Sequence, residues 1–306
     1  MSKQATEYGI LVGVDGSEVC DLAVAWAARD AALRGVPVTL MHVAAPVTVG
    51  WPVGRVFPEM PDWQRDNAER VIERARGVCA EAGGAGLPRV RTEVLYAEVV
   101  PTLIQATERA DMIVVGSQGM GALGRALLGS ISATLLHHAR CPVAIIHSPG
   151  QATPDTAAPV LVGIDGSPES DAATALAFDE ASRRGVDLVA VHVWSDVAVF
   201  PVLGMDWRDR QGGGEAILAE RLAGWQERYP DVHIHRKLFC DNPVRWLLEE
   251  AHTAQLVVLG NRGRGGFGGL LLGSVSSAVA HGANVPVVVT RPVPETIERK
   301  PVTKAP

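Results

Sequence analysis

Aromatic residues are scarce in this chain, only 5% of 306 residues, and an excess of positive charge is missing altogether. The 28 Lys and Arg are outnumbered by 34 Asp and Glu, for a formal net charge of −6. A general nucleic-acid binder shows a basic footprint, so no nucleic-acid partner is expected. Cysteine is limited to Cys20, Cys79, Cys141 and Cys240, with no CxxC pair. That spacing supports neither a zinc site nor a disulfide framework and suits small buried hydrophobes in a reducing compartment. No apolar run approaches the ~18 residues of a membrane span, and the opening MSKQATEYG has no apolar signal core. The expectation is a cytoplasmic protein with no membrane partner. Also missing are a Walker A sequence, a GxGxxG after the first strand, an HExxH and any visible nucleophile–base pair. A phosphorylation receiver needs paired acids after its first strand, where this chain has one Asp followed by Gly and Ser. An anionic small ligand stays open, because backbone dipoles can hold phosphates on an acidic protein.

What is present is a repeat. ILVGVDGSEVCDLAVAWAARDAALRGVPVTLMHV at 10–43 returns as VLVGIDGSPESDAATALAFDEASRRGVDLVAVHV at 160–193, so that Asp15 recurs as Asp165 and His42 as His192. DMIVVGSQGMGALGRALLGSISATLLHHARCPVAII at 111–146 likewise matches QLVVLGNRGRGGFGGLLLGSVSSAVAHGANVPVVVT at 255–290. Internal repeats decide domain organisation before anything else. Two domains are expected, at 1–148 and 159–294, joined by a Pro/Ala/Thr-rich linker at 149–158 and followed by an unpacked tail at 295–306.

Each copy alternates strand and helix. In the first, strands are predicted near 9–14, 37–43, 90–95, 111–116 and 142–147, with helices over 18–34, 62–82, 98–109 and 130–139. Such βα units imply a parallel sheet covered on both faces. Ser17 and Ser167 are placed as helix N-caps, Pro168 at the first helical position, and Gly35 and Gly185 just past the helix ends. The third strand alternates apolar and polar residues, Val90, Thr92 and Val94 against Arg91 and Glu93, as an edge does. The fifth, PVAII or PVVVT, opens with Pro yet is apolar on both faces. An uncovered apolar edge is an aggregation liability, so the fifth strands are expected to pair, either with each other across the tandem or with another chain. With right-handed crossovers the order is 3-2-1-4-5.

After the fourth strand comes Gly116-x2-Gly119-x9-Gly129-Ser130, repeated as Gly260-x2-Gly263-x9-Gly273-Ser274. Identical spacing in two copies, each time between an apolar strand and a helix, points to a phosphate-binding loop. Glycine lets main-chain N–H groups approach an anion, and a helix N-terminus is a ready anion site. Ser130 and Ser274 are expected to cap that helix, with Ser132 and Ser276 adding hydroxyl donors or facing a metal carried by the phosphates.

These residues resemble the universal stress protein family, whose ATP-binding members carry G-x2-G-x9-G-[S/T] as a phosphate-loop signature. The V-G-x-D-G-S after strand one and the closing CPV or VPV strand resemble it too, over about 9–147 and 159–291. Tandem mycobacterial-type members are especially similar. The resemblance implies two Rossmann-like (adenine nucleotide alpha hydrolase-like) α/β domains, each a five-stranded parallel sheet flanked by helices. It places a nucleotide across the carboxyl ends of strands one and four, where open α/β sheets bind ligands. It further implies that Asp15 and Asp165 accept from the adenine amine or ribose hydroxyls, and that Val43 and Val193 flank the adenine through their backbones. Gly13 and Gly163 either leave room for the nucleotide or serve close helix packing. Asp196 either reaches the ribose or is a solvated loop acid. The loops and first helical turns add Ser117, Gln118, Met120, Gly121, Arg125 and Ile131 in copy one. In copy two they add Asn261, Arg262, Arg264, Gly265, Gly266 and Val275.

Arg262 and Arg264 stand where copy one has Gln118 and Met120, and arginine forks suit phosphate oxygens, so the second site is expected to bind ATP more tightly. The repeated His42 and His192 are read as hydrogen-bonded structural residues. The inserts 46–61 and 195–211, with Trp51, Phe57, Phe200, Met205 and Trp207, fold over the nucleotide, form a partner surface or pack on their own domain. The leading expectation is a nucleotide-dependent sensor or regulator with two ATP sites, Mg2+ entering only with the phosphates, an unidentified protein partner, and homodimer or pseudo-dimer assembly. The alternatives are a slow ATPase and a binder of cyclic AMP or NAD.

Overall fold

The computed structural model describes residues 6–46, 48–49, 55–56, 60–87, 89–119, 128–148, 155–194, 207–263 and 272–291. In the first copy the order is β1 (Ile10–Gly13), α1 (Glu18–Arg34), β2 (Val38–Ala44), β3 (Thr48–Val49), β4 (Arg55–Val56), α2 (Asp62–Gly83), β5 (Val90–Tyr96), α3 (Val99–Ala106), β6 (Met112–Gly116), α4 (Ser130–His138) and β7 (Val143–Ile146). The second runs β8 (Val160–Gly163), α5 (Pro168–Arg184), β9 (Leu188–Trp194), α6 (Trp207–Leu222), α7 (Trp225–Arg228), β10 (Ile234–Cys240), α8 (Pro243–Ala251), β11 (Leu256–Gly260), α9 (Ser274–Gly282) and β12 (Val287–Thr290).

One ten-stranded sheet runs through both copies in the order β10-β9-β8-β11-β12-β7-β6-β1-β2-β5. Within each copy all pairings are parallel and follow 3-2-1-4-5. The two fifth strands meet antiparallel, Val287 opposite Ile145 and Val289 opposite Val143. This joint closes the apolar edge that the sequence left open. Ala144, Ile145, Val287 and Val288 are fully buried there. The alternating strands β5 and β10 are the outer edges, and their residues are mostly half-exposed or exposed. A two-residue ribbon, β3 with β4, is the one element the strand pattern did not announce.

The caps form where the small polar residues and glycines stand. Ser17 Oγ accepts from the Cys20 N–H at 3.2 Å and Ser167 Oγ from the Ser170 N–H at 3.3 Å. Gly35 and Gly185 end α1 and α5 in the left-handed conformation, φ 67° and 65°, which side chains resist. One apolar cluster unites the sheet with α1, α2, α5 and α6, and a second unites its other face with α3, α4, α8 and α9. Both clusters cross the joint between the copies.

Beside that joint α1 and α5 exchange charges. Arg34 pairs with Asp30 at 2.6 Å and with Glu180; Arg184 pairs with Glu180 at 2.8 Å and with Asp30 at 2.9 Å. Asp30 and Glu180 are buried at 1% and 0% exposure, so each carboxylate depends on both guanidinium groups for its hydrogen bonds. Arg34 and Arg184 occupy equivalent positions in the repeat, as do Asp30 and Glu180. The network is therefore pseudo-twofold and spans the copies.

Candidate functional site

Because β7 and β12 run antiparallel, the carboxyl ends of the strands in one copy point opposite to those of the other. Two equivalent sites therefore lie at opposite ends of the continuous sheet. Each is built on the turn that follows the first strand of its copy. Asp15 Oδ1 accepts from the Ser17 N–H at 3.0 Å, and Gly16 takes φ 84° to make the turn. In the second copy Asp165 Oδ1 accepts from both the N–H (3.0 Å) and the hydroxyl (2.6 Å) of Ser167, with Gly166 at φ 83°. The carboxylate is thus fixed by the N-cap of the next helix.

The glycine loop presses on that carboxylate. A Cβ on Gly119 would stand 2.7 Å from Asp15 Oδ2, and one on Gly263 would be closer still to Asp165 Oδ2. The loop closes at its far end through Gly129 N–H to Ser117 O at 2.7 Å, repeated as Gly273 N–H to Asn261 O at 2.6 Å. Gly129 and Gly273 are themselves the N-caps of α4 and α9, and neither helix has a side-chain cap. Ser130 and Ser274, expected as caps, are instead the first helical residues and exposed. A glycine cap leaves the first-turn N–H groups without an oxygen from the cap side chain, so the amides of Ser130, Ile131 and Ser132, and of Ser274, Val275 and Ser276, remain oriented toward the loop.

Other expected donors have different employment. Ser132 Oγ donates to Gly116 O and Ser276 Oγ to Gly260 O, both at 2.6 Å and both buried. The hydroxyl proton is spent on tying the helix to the strand end. Gly116 and Gly260 serve close packing: a Cβ on Gly116 would meet Val19 Cγ1 at 2.9 Å, and one on Gly260 the Glu169 backbone at 2.8 Å. Gly13 and Gly163 back onto Leu103 with Val115 and onto Leu247 with Leu259, the packing alternative of their two readings. Val43 is buried and Val193 half-buried, each near the end of its strand. Parallel strands send alternate peptide groups to opposite sides. Pro37 O and Met41 O accept from Ile10 and Val14 on the β1 side, so Val43, next in that series, faces the same side past the end of β1. Asp187 O and Val191 O set the same series for Val193.

His42 and His192 direct Nδ1 at Val14 O (2.8 Å) and Ile164 O (2.6 Å) and are buried. They brace the turn that carries Asp15 or Asp165. Cys20 sits behind the same turn, and burial pushes its thiol up to about 11, so it offers no thiolate at neutral pH. Met120, Gly121, Arg125, Asp196, Arg264, Gly265 and Gly266 lie outside the described residues, as do Trp51, Phe57, Phe200 and Met205 of the inserts. Among the described residues no group of three or more His, Cys, Asp or Glu could hold a metal ion, and none of the helices is long and apolar enough to cross a membrane.

One brace escaped the sequence reading. Arg221 of α6 donates to Gly166 O at 2.9 Å and to Asp171 at 3.0 Å, holding the Asp165 turn from outside. In the first copy Arg74 of α2 takes the equivalent Asp21. Neither arginine falls within a repeated motif, so only the three-dimensional structure brings it to the turn.

The duplicated Asp–Gly-loop–helix arrangement invites comparison with known proteins. The profile described as the universal stress protein family matches residues 9–147 and 157–291. This chain belongs to that family. A universal stress protein of Mycolicibacterium smegmatis is 57% identical over 294 residues, covering 95% of this chain and 100% of its own. One from Mycobacterium tuberculosis is 51% identical, covering 95% and 99%. The crystal structure of a universal stress protein from Archaeoglobus fulgidus superposes with a TM-score of 0.66 over 92% of this chain and 96% of its own. At 24% identity that likeness speaks for the fold alone. The family's Rossmann-like α/β architecture, present here twice in one chain, is the architecture described above.

Proposed function

We propose that this universal stress protein binds one adenine nucleotide in each copy, with ATP as the ligand, and serves as a nucleotide-dependent regulator in the cytoplasm. The observation that carries the reading is the clasp of each glycine loop. A glycine too close to the aspartate to bear a side chain is followed by a second glycine that starts a helix with no side-chain cap. A carboxylate acceptor and a row of main-chain donors thus sit at opposite ends of one short loop. A ribose or adenine amine satisfies the first and a phosphate chain the second. The edge at Val43 or Val193 offers both a donor and an acceptor to an adenine ring. The residues fit the nucleotide; for Mg2+ they supply no ligand cluster of their own, so the ion would be carried by the phosphates.

The regulatory output follows from differential binding. A ligand shifts a population only by as much as its affinity differs between two states, and the loop ends at Ser117–Gly119 with Gly129 and at Asn261–Gly263 with Gly273 are the described segments a phosphate chain would touch. Isothermal titration with ATP, AMP, cyclic AMP and NAD on the full chain tests the reading. Two sites are expected, one lost in Asp15→Ala and the other in Asp165→Ala, with the surviving site of Asp15→Ala the tighter because Arg262 adds a guanidinium. Absence of ATP binding at millimolar concentration, or preference for NAD, would refute it. Single-turnover hydrolysis far slower than ~1 per second, the lower end of usual enzymatic rates, is the expected kinetic result for a regulator.

A further inference from the structure

We infer that Arg140, Arg262 and Arg291 form an anion site on the seam between the two copies, suited to an oligophosphate chain. Strand register brings them together. Arg291 follows β12 directly and, with the antiparallel register extended by two residues, lies opposite Cys141, next to Arg140. On the other side of β12, Gly260 is paired with Thr290, which sets Arg262 beside Arg291 at the end of β11. Three adjacent strand ends thus present three arginines across roughly 10 Å, two strand spacings.

Their charge is poorly compensated. Arg291 donates to Leu136 O at 2.7 Å, a neutral partner near the C-terminus of α4. Arg262 faces Glu169 at 3.5 Å and keeps a buried Nε without a hydrogen-bond partner. Among the described residues no carboxylate pairs with Arg140 or Arg291. Burial, and then the nearby charges of Arg140 and Arg262, hold the Arg291 guanidinium below its ordinary pKa. In a chain of net charge −6, Arg140 and Arg262, each within the field of Arg291, favour an anion that bridges them, since planar guanidinium forks match phosphate oxygens.

The pseudo-twofold gives an internal control. At the mirror seam the equivalent positions are Gln118, Asn284 and His147, all uncharged or weakly basic. His147 directs both ring nitrogens at carbonyls across the joint, Val285 O at 3.1 Å and Ala280 O at 2.9 Å. Arg291 makes the counterpart bond to Leu136 O, so this position serves the joint at both seams; the added charges of Arg140 and Arg262, where the mirror seam has Asn284 and Gln118, are what a ligand site explains. Arg140 comes from the first copy and Arg262 from the second, so neither domain alone contains the site.

The oligophosphate could be the tail of a nucleotide in the second site or a free chain. The first source rests on the nucleotide reading above; the second does not. Titration of the full chain with sodium tripolyphosphate, and of the Asp15→Ala chain with ATP and AMP, separates them. Exposed Arg140 is the residue to change, as Arg140→Ala and Arg140→Glu, with a thermal melt to show that the fold is kept. We expect about tenfold weaker tripolyphosphate binding in Arg140→Ala and none in Arg140→Glu. A parallel fall in the ATP-to-AMP affinity ratio would assign the nucleotide tail; an unchanged ratio would assign a free oligophosphate. Tripolyphosphate binding that depends on Arg140 in a chain that ignores ATP would sustain the seam site while sinking the nucleotide proposal. Folded variants that match the parent with both tripolyphosphate and ATP would overturn the inference.

Discussion

Gly119→Ala tests the clasp most directly. Ordinary contacts of a Cβ begin at 3.4 Å, whereas this one would stand 2.7 Å from Asp15 Oδ2, so something must give by roughly 0.7 Å. The carboxylate cannot rotate without cost, because Oδ1 holds the Ser17 N–H at the start of α1; a hydrogen bond to a charged group is worth about 1.5–3 kcal/mol. The loop can instead back away, in which case Gly119 leaves the position from which it abuts the aspartate. Either route costs about 1–3 kcal/mol, the usual range for overpacking. At 1.4 kcal/mol per decade that is about 5- to 140-fold in affinity at the first site. Gly263→Ala should cost more, since the gap is smaller and Asp165 is held by two bonds from Ser167. Titration calorimetry with ATP, using Asp165→Ala or Asp15→Ala to leave one site at a time, reads both. Gly77→Ala is the control: exposed in mid-α2 with nothing within 4 Å, it should raise stability by about 0.5–1 kcal/mol and leave affinity alone. Gly119→Ala binding like the parent would refute the clasp, as would a larger loss in Gly119→Ala than in Gly263→Ala.

Two further outcomes follow from buried groups. Burial pushes the thiols of Cys20 and Cys79 up to about 11 and that of Cys141 to about 12, while Cys240 is exposed; a thiol reagent at pH 8 should modify Cys240 alone in the folded protein and all four after unfolding, and fast labelling of Cys20 would contradict the packing. Burial first, and then the neighbouring Asp30 carboxylate, raise the pKa of Glu180 above its ordinary 4.5. The folded state therefore keeps a proton that the unfolded chain releases near 4.5, and the Glu180 contribution is fully present below that pH and lost as pH rises through the folded value. Melting temperatures from pH 4.5 to 8 should show the parent losing stability relative to Glu180→Gln as pH rises, and parallel curves would exclude the effect.

The sheet was legible because strand texture reports neighbours. Val90–Tyr96 alternates and lies at an edge; Val143–Ile146 is apolar on both faces and is covered on both sides. The helix boundaries at Ser17, Gly35, Ser167 and Gly185 followed from backbone chemistry that acts within a few residues. The loop was legible as a loop, through its duplicated glycine spacing. The duty of each glycine was not. Gly116 and Gly119 are three residues apart and read alike in sequence, yet one meets Val19 of α1 and the other the carboxylate of Asp15. That distinction depends on which element crosses behind the chain, and no local pattern encodes it. Ser130 failed as a cap for a related reason: the backbone is already helical at the serine, one residue earlier than a serine cap requires, so Gly129 occupies the capping position.

The same limit applies to the joint. Each copy alone explains why its fifth strand needs a cover, but only the antiparallel pairing of Val287–Val289 with Val143–Ile145 shows which charges meet along it. A duplication starts with equal residues at equivalent positions, so Asp30 with Glu180 and Arg34 with Arg184 show what a symmetric joint retains: opposite charges that neutralise each other across the axis. Arg140, Arg262 and Arg291 do the reverse, placing like charges side by side at one end while the other end holds Gln118, Asn284 and His147. Repulsion of that kind weakens the folded state unless an anion offsets it, and the bond of Arg291 to Leu136 O accounts for only one of the three arginines. The two ends of this sheet are therefore chemically different on a nearly symmetric frame, and the arginine-rich end is the one we assign to an oligophosphate.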